Sequence, residues 1–386
     1  MKFKLEEIQF SPQSIMSFTA ISLYSGAGGL DIGLNQAGFN VVVATDFDHD
    51  SCETLRFNFP NTAVIEGDIQ KVSTAEILSK AELKVGELDL LVGGPPCQPF
   101  SKSAFWNGSK GIDDPRAVTL DEYIRVLRET KPKVFLLENV FGLAYKNNSE
   151  AMKLLTDGFK ELGYKAHWMV VNTADYGIPQ TRERLIIIGV REEFQPFAFP
   201  EPTHRAPDDF NGLFALLRPT YVTAAQAFEG LSYEWKRPPK ELQVKGKWGH
   251  LLKDIPPGEN YLFYTEKKGH KKPLFKWRSR YWTFLLKLSP NRPSWTIQAQ
   301  PGPYVGPFHW NNRRMTLEER KRIQTFPDDY VFIGKRGSVQ KQIGNAVPPR
   351  FAKVLAEEII RQVLVSQPSR RVSKSLPSDR KILVAC

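Results

Sequence analysis

One cysteine lies in a turn whose residue types could present it to a substrate. The chain reads GGPPCQPFS at 93–101, directly after the apolar run 88–92, which is typical of a buried strand. Two glycines end that strand, and two prolines stiffen the turn. We therefore predict that Cys97 lies at the carboxyl edge of a sheet, where ligands bind in α/β folds. A Pro-rich loop with an incidental cysteine is the alternative.

A carboxylate and two arginines further along could act on a polar ring. Glu138 closes the apolar strand 134–137, so it is partly desolvated and could hold a proton near neutral pH. Arg182 and Arg184 lie two residues apart in an extended segment and therefore on one side of it. Such a pair needs anionic or carbonyl partners. Taken singly, Glu138 could equally be a carboxylate that caps a helix. The two arginines could equally form surface ion pairs with Glu183 or other acids.

A Gly-rich turn, SGAGG at 25–29, follows the first predicted strand, 18–24. It is not the dinucleotide fingerprint, because that spacing needs a glycine where Asp31 stands. A loop without the phosphate pattern suits a cofactor with a close, uncharged contact, such as the methionine end of S-adenosylmethionine. An ordinary tight turn is the alternative.

Carboxylates also follow the next two predicted strands. Asp46 and Asp48 come after the second strand, where a carboxylate can meet a ribose diol, and Phe47 offers a flat face for adenine. Asp68 follows the third strand and could accept from an adenine amino group. Each carboxylate alone is explained by a helix cap or a solvated turn, but three at successive strand ends favour a nucleoside site.

These residues need a scaffold in which strands and helices alternate. The strands are continuous apolar runs, which predicts an α/β fold with a mostly parallel sheet covered by helices on both faces. Residues 101–117 are predicted to form a mobile loop, and alternation stops near residue 195. The predicted strands are 18–24, 41–44, 63–65, 88–92, 134–137, 165–172 and 184–190, and the main predicted helices are 49–58, 73–83, 119–130 and 149–162.

Charge divides the chain unevenly. Residues 1–194 hold 20 Lys and Arg against 26 Asp and Glu, whereas residues 195–340 hold 24 against 13. The whole chain carries a net charge of +11. This asymmetry favours a polyanionic partner that meets the second half, although a solvated basic surface would give the same count.

Composition also excludes several classes of protein. Three cysteines at wide spacing form neither a disulfide framework nor a zinc pattern, and no metal is expected. No apolar run approaches the roughly 18 residues of a membrane span. The N-terminus MKFKLEEIQF has acidic residues where a signal peptide would be apolar. We therefore expect a soluble intracellular protein.

With these residues assembled, the chain closely resembles the C5-cytosine DNA methyltransferases. The resemblance extends from Ile21 to Pro349, outside a variable region at 195–290. Its most specific part is PPCQPF at 95–100 followed by Glu-Asn-Val at 138–140 and Gln-x-Arg-x-Arg at 180–184. Ser22 is a departure, because the family often has Asp at that position.

The resemblance implies roles for individual residues. The implied catalytic residues are Pro96, Cys97, Glu138, Asn139, Arg182 and Arg184. The implied cofactor-binding residues are Tyr24, Gly26, Ala27, Gly28, Gly29, Asp46, Phe47, Asp68, Pro95, Leu120, Asn345 and Ala346. The implied DNA-binding residues are Gln98, Ser101 and Gln180. From the basic region we add Lys267, Lys271, Arg278 and Arg280 as candidates for DNA contact, interleaved with Tyr264, Trp277, Tyr281 and Trp282.

The resemblance also implies an S-adenosylmethionine-dependent, Rossmann-like catalytic domain and a target-recognition domain. We predict a catalytic and cofactor-binding domain at 1–194, a smaller recognition domain at 195–337, a return to the first domain at 338–366 and a basic tail at 367–386. In the implied reaction the Cys97 thiolate, favoured by Arg182, adds to carbon 6 of cytosine. Protonated Glu138 meets nitrogen 3 and Arg184 the 2-carbonyl oxygen, in a base extruded from the duplex.

Double-stranded DNA is the expected partner, with no membrane contact. A monomer is expected in the cytoplasm of a prokaryotic or phage-infected cell, alongside a restriction endonuclease that acts on the same site without direct contact. Two alternatives are an RNA (tRNA) cytosine methyltransferase of the same fold and a non-catalytic DNA-binding scaffold. The scaffold predicts loss of the nucleophile or the acid, yet Cys97 and Glu138 are both in place.

Overall fold

The computed structural model describes residues 17–96, 118–140, 149–210, 216–233, 235, 237–278 and 281–365. Its strands are β1 Phe18–Leu23, β2 Phe39–Asp46, β3 Ala63–Glu66, β4 Leu90–Gly93, β5 Val134–Val140, β6 Tyr164–Asn172, β7 Gln180–Thr181, β8 Glu183–Arg191 and β9 Ser294–Trp295. Seven of them form one sheet in the order β3-β2-β1-β4-β5-β8-β6. The short strands β7 and β9 pair separately.

The main sheet is mostly parallel. β1 pairs in parallel with β2 and β4, β2 with β3, and β4 with β5. β8 is antiparallel to both of its neighbours, β5 and β6. The start of β8 therefore lies at the edge where the parallel strands end. The predicted α/β sheet is confirmed.

Helices connect these strands and continue beyond them. They are α1 Gly29–Ala37, α2 His49–Asn58, α3 Thr74–Ala81, α4 Val118–Thr130, α5 Ser149–Glu161, α6 Ala224–Ala227, α7 Leu317–Ile323, α8 Arg336–Asn345 and α9 Pro349–Ile359. α9 runs on into a π-helical turn, Ile360–Leu364. Across the described ranges no helix combines the length and hydropathy needed to cross a membrane.

Apolar side chains cover both faces of the main sheet. On one face, α3, α4 and α5 pack against strand residues such as Leu91 and Phe135. On the other face, α1 and α9 pack against Leu90, Val92 and Leu136. Neighbouring strand residues thus serve opposite faces, as the two-residue period of a strand requires. Helices on both faces explain why the strands are apolar throughout.

The helices α1 and α9 come from opposite ends of the sequence and pack closely. α1 ends at Gly38, whose φ of 107° favours glycine. A Cβ added to Gly33 would lie 2.4 Å from the carbonyl oxygen of Pro349. Glycine at 33 therefore permits an approach that any larger residue would prevent.

The region after residue 195 has a small core of its own with little regular structure. Tyr261, Tyr264, Leu285 and Phe308 are buried there, and several of the aromatic rings in this cluster meet edge to face. Backbone pairing of β9 with β7 joins this region to the short strand that precedes β8. The domain boundaries at 194/195 and 337/338 stay predictions.

The N-terminus of α7 contains a capping box. Thr316 accepts from the backbone N of Glu319 at 3.1 Å, and Glu319 Oε2 accepts from the backbone N of Thr316 at 2.9 Å. The same carboxylate binds the Arg313 guanidinium through two contacts of 2.8 and 2.6 Å. All three residues are buried. The Glu319 carboxylate therefore accepts a hydrogen bond at the N-terminus of α7 and also neutralises the buried Arg313 guanidinium.

We expect Glu319→Ala to lower the free energy of unfolding by about 3–5 kcal/mol, because it leaves Arg313 buried without its anion. Glu318→Ala removes an exposed carboxylate from the same helical turn and should cost less than about 1 kcal/mol. Guanidinium unfolding followed by circular dichroism measures both variants. Equal losses of stability in the two would contradict a structural role for the buried pair.

Candidate active site

The carboxyl edge of the sheet gathers residues from five strand ends. Tyr24 directly follows β1, Asp46 ends β2, and Pro95 lies two residues beyond β4. Glu138 lies near the end of β5, and Arg184 lies at the start of β8. Because β8 is antiparallel, its first residues lie beside the last residues of β5. The sheet therefore brings both predicted catalytic and predicted cofactor-binding residues to one edge.

The Gly-rich loop after β1 is held against the end of β2. The backbone N of Gly26 donates to the Asp46 carboxylate at 2.8 Å, and the Ala27 carbonyl accepts from the Tyr330 hydroxyl at 2.7 Å. Gly26 and Gly28 have φ values of 54° and 75°. A Cβ at Gly26 would meet no atom within 4 Å. The hydrogen bonds to Asp46 and Tyr330 thus fix the loop in place. The space next to the Gly26 Cα atom is open.

The two aspartates after β2 have different surroundings. Burial raises the pKa of Asp46, and bonds from the backbone N–H groups of Asp48 and Gly26 oppose that shift. The Asp48 carboxylate caps α2 through Ser51 and binds Lys341 Nζ at 2.8 Å. Asp48 therefore stabilises the helix and joins it to α8, and Asp46 is the carboxylate nearer the Gly-rich loop.

Phe47 and Asp68 lie on the open side of the same edge. The Phe47 side chain is 67% exposed, although large apolar residues are usually covered, and Lys341 Nζ lies 5.9 Å from its ring centroid. Asp68 is exposed and caps the 3₁₀ turn Ile69–Lys71, where it accepts from the backbone N of Gln70 at 3.1 Å. A planar ligand can therefore reach an uncovered aromatic ring and a carboxylate.

The segment between α8 and α9 closes one side of the Gly-rich loop. A Cβ on Gly29 would lie 2.4 Å from the Val347 carbonyl oxygen and 3.0 Å from the Ala346 Cβ. Asn345 is exposed, and its carbonyl oxygen accepts from the Arg182 guanidinium at 3.4 Å. The two predicted cofactor residues from the end of the chain thus lie beside those from its beginning.

The first turn of α4 connects the ends of β1 and β4. The Tyr24 hydroxyl donates to the Thr119 carbonyl oxygen at 2.5 Å, and the Thr119 hydroxyl donates to the Pro96 carbonyl oxygen at 2.8 Å. Burial raises the pKa of Tyr24, so the phenol is neutral and can donate. Leu120 is only 7% exposed and packs in the core beneath this turn.

A buried ion pair lies where β5 and β8 meet. Glu138 Oε1 lies 2.8 Å from Arg184 Nε, with 13% and 16% of the two side chains exposed. A Cβ on Gly94 would lie 3.0 Å from Glu138 Oε2, so the turn after β4 passes directly beside the carboxylate. Asn139 Nδ2 donates to the Pro95 carbonyl oxygen at 3.3 Å. This geometry fixes a carboxyl group, a guanidinium and the Pro-Pro turn relative to one another.

Arg182 is the more deeply buried of the two arginines, with 2% of its surface exposed. Within the described residues its Nε has no hydrogen-bond partner. Burial lowers the pKa of Arg182, neighbouring Arg184 lowers it further, and Glu138 opposes the shift. The guanidinium therefore has a free donor directed at no described acceptor, which suits an anionic or carbonyl group that arrives with the substrate.

Comparison with known protein families shows to which family this chain belongs. A family model described as C-5 cytosine-specific DNA methylase matches residues 18–361. The chain belongs to this family. The methylase is thus a DNA cytosine-5 methyltransferase, as the resemblance of its motifs implies.

Individual relatives cover nearly the whole of this methylase. It is 43% identical over 366 residues to Type II methyltransferase M.SacI of Streptomyces achromogenes, covering 89% of this chain and 93% of that one. It is 36% identical over 342 residues to Type II methyltransferase M.NgoFVII of Neisseria gonorrhoeae, covering 88% and 86%. A crystal structure described as a DNA modification methyltransferase encoded within an E. coli prophage superposes with a TM-score of 0.64 at 22% identity, covering 90% and 99%. That likeness supports the fold alone.

Gln180 has a different environment from the one predicted for a DNA contact. Its side chain is fully buried. The amide nitrogen donates to Gln324 Oε1 at 2.5 Å, and the amide oxygen accepts from the backbone N of Ile297 at 3.0 Å. With no exposed surface, Gln180 joins this edge of the sheet to segments 100 or more residues away. A direct contact of its side chain with DNA is not supported.

Several predicted residues lie outside the part of the methylase that the structure describes. They are Cys97, Gln98, Ser101 and Arg280, together with the predicted loop at 101–117. Pro96, the residue before Cys97, is exposed and is held by Thr119. The roles of these residues stay predictions.

The remaining predicted DNA contacts lie on the surface of the basic region. Lys267, Lys271 and Arg278 are exposed, and Lys267 Nζ lies 4.5 Å from the centroid of the Trp277 ring, which is 50% exposed. Tyr264 instead belongs to the core of this region and donates to the Leu251 carbonyl oxygen. Aromatic and cationic groups thus share the exposed surface, which is a composition that nucleic-acid contact favours.

Two charged residues of the site were not predicted from the sequence. Lys341 joins α8 to Asp48 and lies near Phe47, and nothing in its local sequence indicates a contact 293 residues away. Asp31 is fully buried in the first turn of α1. A charged residue between the core residues Leu30 and Leu34 is the signal that could have identified it.

Proposed function

We propose that this methylase transfers a methyl group from S-adenosylmethionine to carbon 5 of a cytosine within a specific double-stranded DNA sequence. We further propose that it is the modification enzyme of a type II restriction-modification system. The names of its relatives, Type II methyltransferases, support the second part. The ion pair of Glu138 with Arg184 beside the Pro-Pro turn carries the first part, because it holds a carboxyl group and a guanidinium side by side where a cytosine ring could meet both.

The residues of the edge fit S-adenosylmethionine. The open backbone at Gly26 leaves room for the methionine end, and the exposed ring of Phe47 can stack on adenine. We propose that Asp46, at the end of β2, binds the ribose and that exposed Asp68 binds the adenine amino group. S-adenosylmethionine, when bound, supplies an electrophilic methyl group. The chain's part is to hold it beside the target ring.

The proposed nucleophile is the Cys97 thiolate. Carbon 5 of cytosine is a poor nucleophile until a thiolate adds to carbon 6 and converts the ring to an enamine. A free thiol is only a few per cent ionised at pH 7, so an adjacent cation is needed. Arg182, with its unpartnered buried Nε, supports this role because it can stabilise a thiolate without losing another partner.

Glu138 and Arg184 are proposed to act on the cytosine ring itself. As the thiolate adds, electron density grows at nitrogen 3, where a proton on Glu138 stabilises it. The Arg184 guanidinium, held 2.8 Å from that carboxylate, would bind the 2-carbonyl oxygen. Once carbon 5 has gained the methyl group, loss of its proton and departure of the Cys97 thiolate restore the aromatic ring.

Double-stranded DNA is the proposed partner, with the target base extruded into the pocket, as methyltransferases require for an atom inside the stack. The basic region from 195 onwards would supply phosphate contacts and groove readout. We propose that the enzyme acts as a monomer in the cytoplasm, and that a restriction endonuclease reads the same site independently.

The substrate is tested by methyl transfer from tritiated S-adenosylmethionine to unmethylated duplex DNA and, in parallel, to unmodified tRNA. We expect label in the duplex, located at carbon 5 of cytosine by nucleoside analysis. Binding to that duplex should weaken steeply with salt, because phosphate contacts release counterions. Label in tRNA alone would favour the RNA alternative, and label in neither would overturn the proposal.

A further inference from the structure

Three arginines meet where α7 and α8 pack together, and we call Arg314, Arg320 and Arg336 the arginine cluster. Arg314 precedes α7, Arg320 lies on α7, and Arg336 begins α8. The Arg336 guanidinium donates to the carbonyl oxygen of Met315 at 3.4 Å, and Arg314 donates to the Pro303 carbonyl oxygen at 2.8 Å. These neutral carbonyl groups hold two of the guanidinium groups in place but do not neutralise them.

Arg320 is the buried member of the cluster, with 4% of its surface exposed. Its Nε is enclosed without a hydrogen-bond partner among the described residues. Burial, followed by neighbouring Arg336 and Arg314, lowers the pKa of Arg320 to about 10. Glu319 opposes that shift, but its carboxylate already binds Arg313 at 2.8 and 2.6 Å. A guanidinium buried without its own anion is costly, and an anion that binds beside it would offset that cost.

The other two members of the cluster reach the surface. Arg314 and Arg336 are each partly exposed. Lys335, the N-cap residue of α8, is exposed and its side chain does not cap the helix. A Cβ added to Gly337, in the first turn of the same helix, would meet no atom within 4 Å. An anion can therefore approach the partly exposed guanidinium groups and the uncapped start of α8 together.

The cluster lies close to the carboxyl edge of the sheet. Gln324 follows Arg320 by four residues, so it lies on the same face of α7, about 6 Å further along the helix. Gln324 accepts from the side chain of Gln180, whose strand directly precedes Arg182 and Arg184. Each strand of a duplex carries a phosphate about every 3.4 Å, so DNA bound at this edge would bring phosphates towards α7 and α8.

We propose that the arginine cluster binds a backbone phosphate of the DNA duplex. The inference rests on the proposed function and adds a phosphate site outside the exposed basic residues already predicted for DNA contact. Arginine suits this ligand because its planar guanidinium can bind two phosphate oxygens at once. A phosphate contact positions the duplex and reads no base, so it adds affinity for every sequence alike.

The test is the salt dependence of duplex binding, measured by fluorescence anisotropy between about 50 and 200 mM KCl. Wild type is compared with Arg336→Gln and Arg314→Gln, each of which removes one charge at a partly exposed position. We expect affinity to fall about tenfold at the lowest salt, by a similar factor for a duplex that the enzyme methylates and one that it does not. The slope of log affinity against log salt should become shallower by about one.

Arg322→Gln is the matched control. Arg322 lies on α7 beside the cluster, but its guanidinium is already paired with the Asp328 carboxylate through contacts of 2.9 and 2.7 Å. The variant loses the same charge, and its salt slope should equal that of wild type. Circular dichroism and thermal melting show whether each variant is folded. Removing one of three repelling charges should leave the melting temperature of the cluster variants unchanged or higher.

The outcomes separate this site from the proposed function. If wild type binds no duplex, the proposed function is wrong. If wild type binds and both cluster variants keep its affinity and salt slope, only the role of the cluster is overturned. Inorganic phosphate tests a second source of the anion. If it raises the melting temperature of wild type but not of Arg336→Gln, while the duplex slopes are equal, the cluster binds a free anion and the DNA contact is overturned.

Discussion

Cys97→Ser is expected to abolish methyl transfer, lowering kcat by at least about a thousandfold. A serine hydroxyl is not ionised at neutral pH, so no strong nucleophile is available to add to carbon 6. Affinity for duplex DNA should change by less than about twofold, because the nucleophile contributes little to binding before it bonds. Transfer of tritiated methyl groups and gel-shift titration on the same duplex measure the two quantities.

Cys52→Ser is the matched control. Cys52 is fully buried, burial raises the pKa of its thiol to about 12, and its Sγ lies 3.4 Å from the Asp46 carbonyl oxygen. A neutral thiol of this kind cannot act as a nucleophile, so turnover should persist. Wild-type turnover in Cys97→Ser, or its loss in Cys52→Ser alone with the fold intact, would transfer the chemistry to another residue.

The covalent step can also be trapped. In duplex DNA containing 5-fluorocytosine, the fluorine replaces the proton that must leave carbon 5, so the thioether to Cys97 cannot be eliminated. A protein–DNA adduct that resists denaturing electrophoresis should accumulate with wild type and be missing with Cys97→Ser. Active methylation of ordinary duplex without any adduct on the fluorinated one would contradict attack at carbon 6.

Glu138→Gln is expected to lower kcat by roughly 10²- to 10⁴-fold, the range over which general acid catalysis contributes. The amide fills the same volume, but it cannot give a proton to nitrogen 3 and does not pair ionically with Arg184. Single-turnover methyl transfer with saturating duplex isolates this chemical step from binding. The dissociation constant for the duplex should change much less than the rate.

Glu183→Gln tests whether the effect is specific. Glu183 lies one residue before Arg184 with an exposed side chain, so its loss changes the local charge without touching the buried pair. Its single-turnover rate should remain within about twofold of wild type, as is usual for surface substitutions. Equal losses in both variants would mean that Glu138 acts only through general electrostatics.

Much of the catalytic half could be predicted because its local signals agree. The predicted helix at 49–58 matches α2, and Gly38 ends α1 with positive φ. α8, by contrast, was not predicted. Its sequence, RGSVQKQIGN, has two glycines and few apolar residues. Helix formation there depends on tertiary contacts such as Gln342 with Thr54, which no local pattern contains.

Some residues of the site could likewise be predicted from the sequence, and others could not. Glu138 and Arg184 could be predicted to act together because each ends or begins a buried strand, and the structure places them 2.8 Å apart. Gln180 was assigned to DNA, but its partners Gln324 and Ile297 lie 144 and 117 residues along the chain. Asp31 could have been singled out as a charged residue between the core residues Leu30 and Leu34, but that position alone indicates no chemical role.

The contact between Gly33 and Pro349 has a consequence for synthesis on the ribosome. The apolar side of α1 packs against α9, and Pro349 follows Gly33 by about 316 residues in the sequence. At 5–20 residues per second, that interval lasts roughly 15 to 60 s. During it the nascent polypeptide exposes Leu30 and Leu34, and the wall formed by Asn345 and Ala346 is still missing. That side of the proposed cofactor site is therefore completed only after Asn345 and Ala346 have been synthesised.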